Sequence, residues 1–577
     1  MNHAPPIRKI LLAVNGLLIG LFIFLVFYYL FIPNRRIVPP EGYGTDRVVI
    51  ADAWEQGGNG PRFQNGRVLL PYSVIRQYID PYIWWDEALG KVTVTTRDRV
   101  IRMETESLDA MVNGRPMILD VPVSVLDGTV YIPVEVFGDF YGISIRRLQN
   151  GGAQTVIIDF PGRETTGLVL KEGVREVLIH THPSIRAPAI ALADADMTGT
   201  LQVWEQNGQW VRVRTEQGFF GHIRARYVET VTLPPDKPVT DPEPHKPTPA
   251  ITGKINMTFE QVGQVPVPVG GIPDMNGLDV LSPTWLVLEN ATGDLKNRID
   301  TGYLQWAHEH GYRCWALLAN DFTNPAMTSA FLNNTDSREN LIRQILATAA
   351  LYALDGVNID FENIYLADRD ALSQFVRELV PYLHEQGLTV SMDVNVPDGS
   401  DTWSKCYDHR ALGEVVDYMI LMAYDQYYAA GGRAGPVAAL DWTETQVLKV
   451  LNMAPAKKLV LGVPFYTRVW EVIPDRDPVT AARHAGVIGM ETMKILQADY
   501  AGQERMDEAT GQQMITYNKD GKTRLFWLED LATLERRAAL VRRYDLAGVA
   551  SWSRSEAVDG VWPLLRQYLK EDGEVKP

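Results

Sequence analysis

The stretch LDGVNIDFEN, Leu354 to Asn363, sets an amide or an acid at every second position of a strand-forming run. A strand puts residues i, i+2 and i+4 on one side. Val357, Ile359 and Phe361 therefore share one face, and Asn358, Asp360 and Glu362 share the other. On a buried face, two carboxyls this close cannot both stay ionised, and the one with the raised pKa is an acid at neutral pH. The same alternation on a solvent-facing antiparallel strand would mean only a wet polar face. The elements around the stretch decide between these readings.

Those elements alternate. After the proline-rich run LPPDKPVTDPEPHKPTPA, strand signals appear at DVLSPTWLVLEN, GYRCWALLAND, ALDGVNIDFEN, LTVSMDVNVP, VVDYMILMAYDQYY, KKLVLGVPFYTRVW and LAGVASWSRSE. Helical patterns such as SRENLIRQILATAALYAL and RDALSQFVRELVPYLHEQG lie between several of them. Repeated βα units of this number and length predict an α/β TIM barrel over residues 251–572, with its chemistry at the carboxyl ends of the strands. In a barrel Val357, Ile359 and Phe361 cover the helical side, while Asn358, Asp360 and Glu362 point inward. Burying three such side chains is costly unless they bond one another or a ligand.

Asp355, Asn358, Asp360 and Glu362 resemble the DxxDxDxE signature of family 18 glycoside hydrolases, and the resemblance spans most of residues 253–570. Supporting pieces follow in order: Met422, Tyr424 and Asp425 in LMAYDQ; Gly462, Pro464, Tyr466, Arg468 and Trp470 in GVPFYTRVW; Trp552 in GVASWSRSEAVD. VNIDFEN and the SPTW opening are most similar to the bacterial peptidoglycan-lytic and spore-cortex-lytic branch. The chain departs from the pattern at Asn358, an acid in many members, and at Thr467, usually glycine. The first departure removes a charge that would share protons with Asp360 and is expected to change the pH profile more than the chemistry.

Spacing narrows the mechanism. Retaining hydrolysis with a carboxylate nucleophile needs two carboxyls about 5–5.5 Å apart on either side of the bond, and two residues of one strand cannot flank a sugar. Either Asp425 is the nucleophile or the substrate's own 2-acetamido oxygen attacks, the route noted for this family. On the second route the resemblance implies Glu362, Asp360 and Tyr424 as catalytic. Glu362 protonates the leaving oxygen and later activates water, Asp360 orients the acetamido N–H, and Tyr424 donates to its carbonyl. Asn358, Met422, Asp425 and Trp552 are the implied substrate-binding residues, with Trp552 stacking under the sugar. The plainer readings are that Trp552 and Tyr424 are barrel core and that Asp425 caps a helix. Glu289 and Asp321, at other strand ends, are either subsite residues or caps.

The rest of the chain concerns placement. A 577-residue chain is too long for one hydrophobic core. A net charge of −16 speaks against nucleic acid as a partner, since a binder needs a basic face. Two cysteines make no disulfide framework, no metal-ligand spacing appears, and neither cofactor nor metal is expected. From Ile10 to Ile32 roughly 23 uncharged residues are enough to cross a ~30 Å hydrocarbon core. With Arg8, Lys9, Arg35 and Arg36 at the ends and Tyr28 and Tyr29 near one interface, residues 1–36 are expected to form an uncleaved membrane anchor. Basic residues on both flanks leave the orientation to be read from the domains that follow.

Residues 45–162 resemble the stalk module named after the N-terminal domain of copper amine oxidases, with LPYSVIRQYI, WWDEALGKVTVT, AMVNGRP and TVYIPVEVFGDFYG as the matching pieces. The region holds no histidine, so a spacer rather than a copper site is expected. Asn113-Gly114 and Asp127-Gly128 read as hairpin turns. Residues 168–232 look like a bacterial Src-homology-3-like domain, with Trp210 either a ligand contact or core, and residues 233–250 read as an extended linker. The expected protein is multidomain: two small N-terminal β-rich domains and a TIM barrel behind a transmembrane helix. It is held in the cell membrane with its barrel on the wall side. There it cleaves the β-1,4 linkage after N-acetylglucosamine in peptidoglycan or spore cortex. A chitinase or chitooligosaccharide hydrolase is one alternative. A catalytically inactive glycan-binding wall protein is another, against which the intact Glu362 and Asp360 count.

Overall fold

The computed structural model describes residues 6–160, 165–233, 251–477 and 481–571. Residues 234–250 of the proline-rich run lie outside the described residues. The chain forms two compact units, residues 1–83, 103–110 and 118–241 in the first and residues 84–102, 111–117 and 242–577 in the second.

The first unit begins with the helix Pro6–Phe31, whose stretch Ile10–Tyr28 is long and apolar enough to cross a membrane and is not covered by protein. The β-rich part follows. Arg47–Ile50 runs parallel to Ala153–Asp159 and antiparallel to Ala53–Gln56, and its continuous run Val48, Val49 and Ile50 gives a strand buried on both faces. Asp127 and Gly128, at φ 51° and 76°, turn Ser124–Leu126 back onto Thr129–Pro133 as their sequence predicts. Thr165–Leu233 builds a seven-stranded sheet over a core of Leu168, Ile179, Val211, Val213 and Ile223. Trp210 meets His180 edge-on at 5.7 Å and lies under the Arg224 guanidinium at 5.0 Å.

The second unit holds a closed barrel of eight parallel strands: β1 (Ile255–Glu260), β2 (Val280–Pro283), β3 (Arg313–Ala319), β4 (Gly356–Asp360), β5 (Thr389–Asn395), β6 (Tyr418–Met422), β7 (Leu459–Pro464) and β8 (Gly548–Trp552). Closure comes from pairing of β1 with β8 and of β2 with β3. Seven of these strands carry the signals read from the sequence. β1, six residues directly after the linker, does not stand out there because INMTFE has neither a hairpin partner nor a long apolar run.

Side chains of β4 and β5 divide as the two-residue period demands. Val357, Ile359, Phe361, Val390, Met392 and Val394 pack outward into the helical layer. The apolar filling of the interior (Met257, Phe259, Val280, Trp315, Leu317, Ile420, Val460 and Ala550) comes from β1, β2, β3, β6, β7 and β8. The inward faces of β4 and β5 are thereby left for polar groups. Between β7 and β8 an antiparallel five-stranded sheet is inserted, containing Tyr466–Val472 and Lys522–Trp527. On the outside of the helical layer, Glu378 is fully buried between Arg338 (2.8 Å) and Arg102 (3.1 Å).

Candidate active site

β4 ends at Asp360, one inward position earlier than the alternation suggests, and Glu362 begins the loop above it. This loop is held by its backbone. Glu362 N–H donates to Asn320 Oδ1 and the Asn320 amide donates back to Glu362 O, both at 2.9 Å. Asn363 then takes a left-handed φ of 52° and donates to Phe322 O at 2.8 Å. The Glu362 carboxyl is thus fixed at the carboxyl rim of the barrel. Its Oε2 accepts from Asn395 Nδ2 at 3.0 Å, from the end of β5. Burial outweighs this bond, and with the Asp425 charge nearby the carboxyl is pushed up to about 7.

Below Glu362 the polar interior is continuous. Asn358 and Ser391 are paired neighbours on β4 and β5, and Ser391 Oγ donates to Asn358 Oδ1 at 2.6 Å. The other end of that amide donates to Asp393 Oδ2, also at 2.6 Å. Asp360 and Asp393 are both raised well above the ordinary carboxylate range, first by burial; Glu362 adds to both, and Asp393 adds to Asp360. Asp355, the first residue of the signature, lies at the opposite end of β4. It accepts there from Cys314 N–H (2.8 Å) and meets His308 Nε2 (2.9 Å), a role in joining strands.

Met422 ends β6, and Tyr424 and Asp425 follow it. Tyr424 faces the same acids: its hydroxyl is raised well above the usual phenol range by burial, then by Asp393, Tyr466, Asp360 and Glu362. Gly462 makes room for it, since a side chain there would come within 2.6 Å of Leu421 O and 3.1 Å of the Tyr424 ring. Asp425 takes a left-handed φ of 57° and caps no helix; its Oδ1 accepts from Tyr466 Oη at 2.6 Å and from Arg468 at 2.7 Å. Trp552 ends β8, half-buried, tilted against Phe259 at 5.3 Å. The segment after it is pinned by Arg554 to Glu260, which also accepts from Tyr303 Oη at 2.9 Å. Asp321 accepts from the amide and hydroxyl of Thr323 and is a turn residue, while Glu289 stands beyond the short strand Leu286–Leu288.

The structure brings together Glu362, Asp360, Asn358, Tyr424 and Asp425, and adds Asn320, Asp393, Asn395, Tyr466 and Arg468 as their partners. Ser391, Asp393 and Asn395 alternate in TVSMDVN as Asn358, Asp360 and Glu362 do one strand earlier. That second alternation is the signal by which they could be found.

The second unit is thus an eight-stranded βα barrel with the buried acids Asp360 and Asp393 beneath its carboxyl rim. More specifically, residues 323–557 match the glycosyl hydrolases of family 18. Residues 58–158 match the copper amine oxidase N-terminal domain. The chain is 30% identical over 244 residues to the Bacillus subtilis protein YdhD, covering 41% of this chain and 56% of that one. It is 27% identical over 254 residues to the cortical fragment-lytic enzyme of Bacillus subtilis, covering 43% and 57%. These two alignments span little more than half the length of either relative. The crystal structure of the Bacillus cereus spore cortex-lytic enzyme SleL shares the fold, with a TM-score of 0.50 at 19% identity over 59% of this chain and 77% of that one.

Proposed function

We propose that the protein is a membrane-anchored glycoside hydrolase that cleaves the β-1,4 linkage after N-acetylglucosamine in peptidoglycan or spore cortex. Its mechanism is retaining and substrate-assisted. The observation that carries this reading is the state of the acids. Glu362 sits at the rim with a pKa of about 7 and is therefore half-protonated at neutral pH, as a proton donor to a leaving oxygen should be. Asp425, the other candidate nucleophile, has one oxygen engaged by both Tyr466 and Arg468, which makes it a poor attacking group. The acetamido oxygen of the substrate then attacks the anomeric carbon while Glu362 gives up its proton. Asp360 faces the amide N–H, Tyr424 donates to the acetamido carbonyl, and Glu362 as carboxylate takes the proton of the incoming water. Asn358, Met422, Asp425 and Trp552 shape the subsite, with Trp552 as its floor.

The cortical fragment-lytic relatives favour a wall glycan over chitin. An exposed apolar helix ahead of β-rich modules suits reach from a membrane into a wall. The test is to incubate full-length protein in detergent with purified peptidoglycan, spore cortex and chitin and to identify the new reducing ends by mass spectrometry. N-acetylglucosamine ends on peptidoglycan or cortex are expected. Muramic acid or its lactam at the new reducing end overturns the choice of bond, and cleavage of chitin alone overturns the choice of polymer.

A further inference from the structure

The asparagine at 358 leaves the barrel with a buried acid on the next strand. Register pairs Asn358 with Ser391 and Ile359 with Met392. Continued by one residue, it sets Asp360 beside Asp393, both inward, on parallel strands about 4.8 Å apart. Both are buried, at 7% and 1% exposure. Asp393 Oδ2 accepts from Asn358, whereas Asp393 Oδ1 and Asp360 Oδ1 are buried with no hydrogen-bond partner among the described residues. Two adjacent buried carboxyls each presenting one unpartnered oxygen are satisfied together by one proton between them, and both cannot ionise at such a distance. Glu362, above on the β4 side, Tyr424, after β6, and the buried Tyr407 are the other titratable groups whose interactions reach the pair among the described residues.

We propose that Asp393 is a positioning residue that shares one proton with Asp360, taking it up as the bound amide becomes cationic and returning it when the sugar leaves. The proposal rests on the substrate-assisted reading above. Its balance is simple. The O–H bond on Asp360 breaks as the O–H bond on Asp393 forms, leaving Asp360 anionic beside the oxazolinium. Water attack converts the oxazolinium to the neutral amide, and the proton goes back. The pair carries one negative charge throughout, and no co-reactant is consumed. Asn358 holds Asp393 in place by an amide whose other end is fixed by Ser391. The acid expected at 358 is thus displaced by one strand.

The first test is infrared titration of the Glu362→Gln protein, in which the rim acid is removed from the signal. A protonated carboxyl band persisting well above the range in which free aspartate titrates is expected, and it should vanish in Glu362→Gln/Asp393→Asn. Kinetics form the second test. Asp393→Asn should lower kcat by about 10²-fold with KM nearly unchanged. Asn358→Asp/Asp393→Asn, which returns the acid to β4, should recover about tenfold of that loss. A folded Asp393→Asn protein with the kcat and pH profile of the parent overturns the proposal. Absence of the band in Glu362→Gln overturns it even where Asp393→Asn fails to fold. If the parent cleaves no glycan, the functional reading fails, while the infrared band still decides whether the proton is shared.

Discussion

On the proposed role of Glu362 as proton donor, the hydrogen bond from Asn395 should set where activity falls on the alkaline side, and removing it should move that limb in a defined direction. Asn395 Nδ2 donates to Glu362 Oε2 at 3.0 Å and favours the charged carboxylate, holding the pKa at about 7 against burial and the Asp425 charge. In Asn395→Ala the bond is lost, but the strand end stays anchored because His409 Nε2 still meets the backbone oxygen of residue 395 (2.8 Å). A hydrogen bond to a charged acceptor contributes about 1.5–3 kcal/mol, and one pKa unit corresponds to about 1.36 kcal/mol, so a rise of about one unit is expected once water replaces part of the bond. The donor must be protonated, so activity is lost as pH rises through the Glu362 pKa, and a higher pKa extends activity upward. Below neutrality the variant should be slower, by about tenfold, because the carboxyl is less well aimed. Above it the gap should narrow. The assay is kcat against pH on the cleaved glycan. An alkaline limb that stays in place or moves down refutes the reasoning.

Four further outcomes are expected. Glu362→Gln should reduce turnover by about 10²–10⁴-fold while glycan binding survives in a pull-down with insoluble polymer; retained turnover would remove Glu362 as proton donor. Asp425→Asn should weaken cleavage without abolishing it, and de-N-acetylated glycan should resist the enzyme; a covalent sugar ester on Asp425 seen by mass spectrometry would replace the substrate-assisted route. Glu378→Ala strands Arg338 and Arg102 and should cost about 3–5 kcal/mol in denaturant unfolding. The Glu378 pKa is depressed in the fold, chiefly by Arg338 and Arg102 working against burial. Its contribution is therefore present above the ordinary carboxylate value of 4.5 and lost as pH falls through the lower folded value, so the gap between parent and variant should narrow at acid pH; a destabilisation that stays constant as pH falls would contradict this. Finally, the intact protein should sediment with membranes and resist extraction by salt, and release by high salt alone would show adsorption in place of insertion.

Local pattern alone was enough to reveal much of this protein. Hairpin turns at Asn113-Gly114 and Asp127-Gly128 follow from residues that tolerate positive φ, and all four adopt it. The uncharged run Ile10–Tyr28 forms one helix because nothing in it breaks a helix or holds a charge. The inward set Asn358, Asp360 and Glu362 was legible because a strand has period two, and the barrel because βα units recur. Other features join residues far apart in the chain, and no local period encodes them. Asp393 and Asn395 lie more than thirty residues beyond Asn358 and Glu362, and only the parallel register of β4 and β5 makes them partners. Arg468 and Tyr466 reach Asp425 from the start of the inserted sheet. Arg102 meets Glu378 across 276 positions. Strand order and closure decide which acids share the barrel interior, and burial there decides which of them keep a proton; both are properties of the assembled barrel.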